Sequence, residues 1–319
     1  STFEKHYGAK LSDHMGLRIP EMLDSVGTEG GVRAMYVMGE DPVLTDPDAN
    51  HVRHAMESLD FLVVQNIFLT ETAKLADVVL PATAYAEKDG TFTNTERRVQ
   101  RVRKAVDGPG GVWEDWKIIQ AIAKRMELNG FDYTSAEEIF EEIRRVIPSY
   151  HGITYNRIEM DGLQWGCPTI DSPGAKYLHA GEFTRGKGLM LPIEYLPPAE
   201  MTDEEYPILM NTGRKLYHYN VSTRISPTLE AIMPVERVEI HPQEAEKYGL
   251  DKDSIIRVTS RRGSITANVQ ITKRVQPGTI YMTFHFHESP VNELTNAASD
   301  PVTKTAEYKV TAVKIAKEA

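Results

Sequence analysis

The sequence predicts an α/β fold in which an open parallel sheet is followed by a mainly-β barrel of six strands. From residue 32 onward, short β-rich runs alternate with amphipathic segments, the pattern of a parallel sheet with right-handed helical crossovers. Residues 152–207 then lose any period and become rich in Gly, Pro and aromatic residues, and mostly β-rich runs follow. At 319 residues the chain has room for two cores, and we expect two domains, residues 1–178 and 179–319.

The first half of the chain alternates strands and helices. Predicted strands cover residues 34–37, 61–65 and 77–80, and predicted helices cover residues 50–59, 70–75, 114–126 and 135–146. The last of these helices has Ser135 at its N-cap and Glu138 at the capping-box position, and Pro148 ends it. Residues 152–207 are predicted to form a linker or a long surface loop.

The second half of the chain reads as a small closed barrel. Arg261-Arg262-Gly263 predicts a hairpin turn, and Pro242 predicts the start of a short helix that ends near Gly249. The predicted strands cover residues 208–211, 238–241, 255–260, 264–271, 279–284 and 308–313.

Composition excludes several classes of protein. The net charge is -10, from 46 Asp and Glu against 36 Lys and Arg, and no Lys/Arg block is present, so a nucleic-acid partner is not expected. No apolar run approaches the length of a membrane span, and residues 1–6 lack the apolar core of a secretory signal, so we expect a soluble, cytoplasmic protein with no membrane partner. The single cysteine, Cys167, has no evident cationic neighbour and is interpreted as a structural thiol.

Polar residues follow two neighbouring strands of the predicted sheet. Gly39 can bring backbone close to a phosphate, Asp41 and Thr45 offer oxygens past the same strand, and Gln65 with Asn66 repeats the arrangement one strand over. Adjacent strand ends that are both polar define a crevice in which an open α/β sheet binds ligands. Spacing alone also fits a plain strand-to-helix loop in which Asp41 is a helix cap.

Asp115 begins the predicted helix at 114–126. A carboxylate accepts two hydrogen bonds side by side, which matches the N1–H and N2–H2 edge of guanine and repels the N1 acceptor of adenine. An Asp in the first turn of a helix is also suited to stabilising the helix dipole, and spacing alone leaves both roles open.

In the second half, Thr212-Gly213-Arg214 follows the strand at 208–211, where Arg214 has the fork to hold a phosphate and His218 can donate to an acceptor. A loop with an exposed cation and a satisfied histidine is the alternative. On a strand, His285 and His287 would share a face and could hold a metal together with His241 or Glu288. We expect a structural role for them instead, because no third metal ligand has diagnostic spacing.

Several segments together resemble the molybdopterin oxidoreductases (the DMSO reductase family), and within it the catalytic alpha subunits of formate dehydrogenases. The resemblance covers essentially the whole chain and places it in the C-terminal part of such a subunit. Its most specific segments are residues 38–42, 64–68, 76–81, 90–101, 115–119, 281–283 and 301–309.

The resemblance implies an α/β domain and a double-psi-like barrel that together hold a bis(molybdopterin guanine dinucleotide) cofactor with molybdenum or tungsten. It implies contacts to one guanosine diphosphate arm from Asp41, Thr45, Gln65, Asn66, Pro81 and Asp115. It implies contacts to the pterin and phosphate portions from Gly213, Arg214, His218, Asn220, Phe284, Asn292, Tyr308 and Lys309. Phe284 stands where related enzymes can carry Tyr, and Asn66 where some carry Asp.

The family's reactive groups have no match in this chain. The four-cysteine [4Fe-4S] site, the metal-ligating cysteine or selenocysteine and the arginine that would hold formate belong to a preceding N-terminal portion, so no catalytic or metal-ligating residue is assigned here. The resemblance thus implies formate oxidation to CO2 or the reverse, with that N-terminal portion and an Fe–S electron-transfer subunit as partners. A nitrate or other oxyanion reductase, and a scaffold like the large Fe–S subunit of NADH dehydrogenases, are the alternatives.

Overall fold

A parallel sheet and then a barrel follow one another along the chain, as the sequence predicts. The structure is a computed structural model that describes residues 1–219 and 221–318, without the side chains of residues 222 and 224. The helices are α1 (Thr2–Tyr7), α2 (Ile19–Ser25), α3 (Pro42–Thr45), α4 (Ala49–Glu57), α5 (Asp115–Arg125), α6 (Ala136–Val146), α7 (Pro227–Ile232) and α8 (Pro242–Lys247). The strands are β1 (Ala34–Met38), β2 (Phe61–Asn66), β3 (Val78–Pro81), β4 (Gly90–Thr93), β5 (Arg98–Val102), β6 (Leu163–Gln164), β7 (Ile208–Gly213), β8 (Arg237–Ile240), β9 (Ile255–Thr259), β10 (Ser264–Ile271), β11 (Thr279–Thr283) and β12 (Thr311–Lys317).

The chain divides into two units. Unit 1 comprises Ser1–Gly16, Gln65–Phe68 and Leu80–Glu194, and unit 2 comprises Leu17–Val64, Leu69–Val79 and the chain from Tyr195 onward. The last two residues of β2 and of β3 are counted in unit 1. The predicted domains 1–178 and 179–319 stay a prediction.

The predicted parallel sheet is confirmed, with strand order β1-β2-β3. Its core in unit 2 is built from alternating apolar residues, such as Leu62 and Val64 of β2, against Val52 and Met56 of α4. The predicted helix at 70–75 is wrong in extent, because only a 3₁₀ turn at Ala73–Leu75 forms.

The predicted six-stranded barrel is also confirmed, with the closed order β10-β8-β11-β7-β12-β9. It mixes parallel pairs, β7 with β11 and β8 with β10, with antiparallel ones. Its interior is filled by buried apolar side chains from alternate strand positions, among them Met210, Ile240, Val258 and Met282. The hairpin between β9 and β10 forms as predicted, whereas β12 begins at Thr311 rather than at residue 308.

A small antiparallel sheet, β4-β5-β6, belongs to unit 1 and was not predicted. Its last strand lies within residues 152–207, so the interpretation of that whole stretch as a linker is wrong. Ile153, Tyr155, Ile158 and Cys167 are buried there against Phe140 of α6. They belong to one core cluster, but their positions in the sequence follow neither a helix nor a strand period, so periodicity does not detect them.

Helix α6 begins as predicted at Ser135, whose hydroxyl accepts from the Glu138 backbone N–H at 3.2 Å. The expected reciprocal capping box is absent at this position, because the Glu138 carboxylate instead accepts from the backbone N–H and hydroxyl of Thr134, at 2.6 and 2.7 Å. Within the described ranges 1–219 and 221–318, no helix has both the length and the apolar character of a membrane span.

Candidate cofactor-binding residues

In unit 2, a pair of cations lies just after the end of β7. The Arg214 guanidinium carbon lies 4.7 Å from the centre of the Tyr219 ring and 5.3 Å from that of Phe284. The Lys309 ammonium donates to the Thr212 carbonyl at 2.7 Å. Burial, and after it the charge of Arg214, lowers the pKa of Lys309. A partly buried ammonium close to a second cation favours binding of an anion, because the anion offsets both the lost solvation and the repulsion.

Gly213 is required by the close packing of Tyr281 on the neighbouring strand. A Cβ at position 213 would lie 2.5 Å from the Tyr281 hydroxyl oxygen. That hydroxyl donates to the Arg214 carbonyl at 2.7 Å and so fixes the backbone from which the Arg214 side chain departs. The strand pairing places Tyr281 opposite Asn211, and sequence reasoning did not assign Tyr281 a role.

Lys215, which follows Arg214 in the sequence, belongs to a buried charge cluster of unit 2 that sequence reasoning missed. The Lys215 ammonium lies 3.9 Å from carboxylate oxygens of both Glu236 and Glu239. Glu236 accepts from the backbone N–H of Thr283 at 3.2 Å and from the Thr283 hydroxyl. Burial raises the pKa of Glu236, against the opposing effect of Lys215. The cluster ties the end of β11 to the segment before β8.

His218 is completely buried, and its Nε2–H donates to the Met233 carbonyl at 2.8 Å. Its ring stands edge-on to Phe286 with centroids 5.3 Å apart. Tyr308 precedes β12, and its carbonyl accepts from the Thr212 hydroxyl at 2.7 Å. Burial, and after it the Asp46 carboxylate, raises the pKa of the Tyr308 phenol. Asn220 lies outside the described residues.

Asn292 is buried and clamps the end of helix α3. Its amide donates to the carbonyls of Leu44 and Thr45 at 2.9 and 3.0 Å. Thr45 in turn donates from its hydroxyl to the Asp41 carbonyl at 3.0 Å. Asn292 and Thr45, which the sequence separates by 247 positions, thus lie in direct contact within unit 2.

Asp41 is buried, and one carboxylate oxygen accepts from both the backbone N–H and the hydroxyl of Thr72, at 2.9 and 2.7 Å. It therefore fixes the loop before the 3₁₀ turn as well as standing at a strand end. Gly39 has φ of 70° and open space where a Cβ would stand, so its backbone is accessible from that side. Burial raises the pKa of the neighbouring Asp46 to about 6.

In unit 1, Asp115 is the first residue of α5 and is held by two donors. The Gln65 side-chain amide donates to one carboxylate oxygen at 2.8 Å, and the Lys88 ammonium donates to the other. Each carboxylate oxygen keeps a second acceptor position. Lys88, Asp115 and Trp116 line a cavity of about 290 Å³ whose other walls are mainly apolar and aromatic. Lys88 was missed because nothing in its spacing singles out one lysine in a loop.

Asn66 and Pro81 lie at the ends of β2 and β3. The Asn66 carbonyl accepts from the Ala82 backbone N–H at 3.0 Å, and the Pro81 carbonyl accepts from the Trp113 N–H at 3.2 Å. These bonds fix the backbone that leads into Asp115 two residues after Trp113. The roles of all fifteen candidate residues as cofactor contacts stay predictions.

Cys167 and the histidines of the barrel have well-defined surroundings. Cys167 is fully buried as expected for a structural thiol, but the expectation that it lacks a cationic neighbour is wrong, since an Arg157 guanidinium nitrogen lies 3.4 Å from its sulfur. The expectation that His285 and His287 lie on one face of a strand is wrong, because β11 ends at Thr283 and His285 is buried whereas His287 is exposed. His287 is paired with Glu288 at 3.5 Å. Across residues 1–219 and 221–318, no group of three or more His, Cys, Asp or Glu side chains is arranged to hold a metal ion.

Two separate segments of the chain match known protein families. Residues 5–125 match the molybdopterin oxidoreductase family, and residues 208–312 match the molydopterin dinucleotide binding domain. The chain belongs to the molybdopterin oxidoreductase family. The expected class of cofactor, a molybdopterin guanine dinucleotide with molybdenum or tungsten, is thereby confirmed at the level of the family.

Curated relatives of this molybdopterin oxidoreductase are named formate dehydrogenases. The chain is 46% identical over 318 residues to F420-dependent formate dehydrogenase subunit alpha of Methanocaldococcus jannaschii, covering 98% of this chain and 47% of the relative. It is 48% identical to the alpha subunit of F420-dependent formate dehydrogenase 2 of Methanococcus maripaludis, covering 97% and 46%. It is 35% identical to formate dehydrogenase H of Escherichia coli, covering 98% and 45%. The chain therefore spans slightly less than half the length of these relatives and matches their C-terminal part.

A solved structure supports the fold. Acetylene hydratase from Pelobacter acetylenicus matches with a TM-score of 0.73 at 16% identity, over 93% of this chain and 46% of that chain. At this identity the match concerns the fold alone.

The side chains described above fit a dinucleotide of this kind. In unit 2, Arg214 and Lys309 supply two cations beside the end of β7, where Tyr281 leaves no room for a side chain at position 213. In unit 1, Asp115 presents a carboxylate fixed by Gln65 and Lys88 beside a cavity with aromatic walls. An anionic group suits the first set, and a flat base with adjacent N–H donors suits the second.

Proposed function

We propose that this chain is the cofactor-binding C-terminal half of a formate dehydrogenase catalytic subunit. The proposed subunit binds a bis(molybdopterin guanine dinucleotide) cofactor and oxidises formate to CO2, or catalyses the reverse. The observation that supports formate as substrate is the identity of 46–48% to F420-dependent formate dehydrogenase alpha subunits over nearly the whole chain. The family fold by itself does not select this substrate.

In this proposal the barrel provides the anion-binding contacts. Arg214 and Lys309 hold phosphate or pterin oxygens, and the Tyr281 hydroxyl keeps the Arg214 backbone in place. Phe284 contributes a ring face rather than a hydroxyl, so the aromatic wall near Arg214 is apolar at this position. Asn292 and Thr45 hold the end of α3 where the first strand delivers its polar loop.

Asp115 is proposed to bind the guanine base. Its carboxylate accepts from the N1–H and N2–H2 groups of guanine, while Gln65 and Lys88 fix its orientation.

When bound, the cofactor supplies the metal at which formate is oxidised. This chain contributes binding and orientation of the dinucleotides, and its residues are not proposed as metal ligands. We infer that an N-terminal portion supplies the metal-ligating Cys or selenocysteine and a [4Fe-4S] centre, and that an Fe–S subunit receives the electrons. F420 is the proposed terminal acceptor because two of the relatives compared above are named F420-dependent. The proposed location is the cytoplasm.

Metal analysis and assays of the native enzyme test this proposal. We expect about one molybdenum or tungsten per chain and formate-dependent reduction of an artificial dye, and no activity from the 319-residue chain alone. Native enzyme with neither metal would support the scaffold alternative. Nitrate-dependent oxidation of a reduced dye without formate oxidation would support an oxyanion reductase.

A further inference from the structure

One stretch of unusual composition follows the part of residues 152–207 that packs into unit 1. Residues 188–198 read Gly-Leu-Met-Leu-Pro-Ile-Glu-Tyr-Leu-Pro-Pro and carry one charge, Glu194, in a chain that is 26% charged. We call residues 188–198 the strap. It has neither helix nor strand structure, and it is apolar where a solvated linker is normally polar.

The large apolar side chains of the strap are exposed one after another. Met190 and Ile193 are each 94% exposed, and the remaining large ones, Leu189, Leu191, Tyr195 and Leu196, are 65–84% exposed. Single exposed apolar residues are normal on a protein surface, but a continuous run of this size marks an interaction site.

The chain has fixed points at Lys176, well before the strap, and at Glu200, just after it. In unit 1, Arg97 donates to the carbonyls of Ala175 and Lys176, at 2.7 and 3.3 Å. In unit 2, the Glu200 carboxylate is paired with both Arg261 and Arg262. Pro192, Pro197 and Pro198 further restrict the backbone of the strap itself. A segment restricted by prolines loses less backbone entropy when a partner covers it than an unrestricted one does.

We propose that the strap is an interface for the N-terminal half of the alpha subunit, an inference that rests on the proposed function. The relatives carry slightly more than half of their length outside the matched region, in the same polypeptide. A run of apolar side chains with a single charge suits a permanent, core-like interface, whereas transient partners use more polar surfaces. A second copy of this chain is disfavoured because each copy carries a net charge of -10.

The test uses methionine oxidation in the native enzyme, since the Met190 sulfur reports directly on coverage of the strap. Native enzyme and the same enzyme unfolded in urea are treated with hydrogen peroxide, and the sulfoxide at Met190 is quantified by mass spectrometry. We expect Met190 to oxidise at least about tenfold more slowly in the native enzyme, because coverage limits access of the oxidant. Oxidation at the unfolded rate in an enzyme that contains molybdenum or tungsten would overturn this inference and leave the proposed function intact.

A substitution then identifies what covers the strap. Ile193→Asp is expected to reduce the amount of N-terminal half that remains associated after limited proteolysis, and to restore fast oxidation of Met190. The matched control is Met160→Asp, because Met160 is 88% exposed and lies outside the strap. Protection that disappears on dilution while the N-terminal half stays bound would assign the strap to a second copy and overturn the inference. Native enzyme without metal and without an N-terminal half would overturn both proposals.

Discussion

Replacing Lys215 by Met tests whether the buried Glu236 carboxylate depends on its ammonium neighbour. The Glu236 side chain is fully buried, the Lys215 side chain is 14% exposed, and the two charged groups lie 3.9 Å apart. At this distance and an effective dielectric constant of about 20, their attraction is about 4 kcal/mol. Removing one member of a buried pair costs about 3–5 kcal/mol. Because Lys215 retains some exposure, we expect the free energy of unfolding to fall by about 3 kcal/mol.

The loss of unfolding free energy caused by Lys215→Met should depend on pH. Burial raises the pKa of Glu236 above its ordinary value of 4.5, and the Lys215 charge opposes this shift. A group whose pKa is raised on folding contributes stability that is fully present below pH 4.5 and is lost as the pH rises through the folded-state pKa. Without Lys215 the pKa rises further, so the Lys215→Met penalty should grow over this range as Glu236 ionises.

Unfolding is measured in urea at pH 5 and pH 8, with hydrogen exchange of peptides that contain β11 as the signal. This signal reports on the barrel alone. Glu236→Gln is the matched background because it keeps an acceptor for Thr283 but cannot ionise. In that background Lys215→Met still removes the neighbour of Glu239 3.9 Å away, so it should cost about 1 kcal/mol and vary less between pH 5 and pH 8. An equal penalty in both backgrounds would refute the argument that the two groups are coupled.

Four further substitutions test the candidate residues. Asp115→Asn should weaken binding of guanine nucleotides to the apoprotein, measured by competition, by about 1–3 kcal/mol, and should favour xanthine nucleotides. Unchanged guanine affinity would mean that Asp115 is an ordinary helix-start residue. Arg214→Lys should lower cofactor occupancy of the native enzyme, measured as bound metal, without changing the melting temperature, because Lys lacks the paired donors. Gly213→Ala should destabilise the barrel by about 1–3 kcal/mol in urea, since its Cβ meets the Tyr281 hydroxyl, and an unchanged midpoint would contradict that contact. Asn292→Ala should cost about 2–4 kcal/mol of unfolding free energy, because two buried carbonyls lose their donor, whereas a neutral result would mean that water replaces the amide.

Much of the fold could be predicted because its signals are local. Strand β2 alternates buried and exposed positions, and Ser135 caps α6 through a hydroxyl three residues from its partner, so each is visible in a short window. The sheet β4-β5-β6 escaped prediction because β6 is a two-residue strand more than 60 residues from β5, and tertiary packing alone creates it.

The residues of the candidate site likewise fall into those that the sequence could predict and those that only the folded structure shows. Asp115 and Arg214 could be chosen from chemistry and from a resemblance, because a carboxylate at a helix start and an arginine after a strand have recognisable settings. Lys215 and Glu236 could not, because charged residues are normally exposed and only the folded barrel shows that these two are buried together. Lys88 lies 27 positions from Asp115, and no local pattern connects them.

The place of β12 in the barrel has a consequence for biosynthesis. β12 lies between β7 and β9, so a ribosome must release the last strand in chain order before these two edges are joined. Until then β7 and β9 present open edges that are prone to pairing with other chains. Tyr308 and Lys309, which bond to Thr212, directly precede β12 in the chain, so these bonds also wait for the last part of the barrel. In the proposed function, a dinucleotide therefore meets both Arg214 and Lys309 only after the chain has been translated as far as the start of β12.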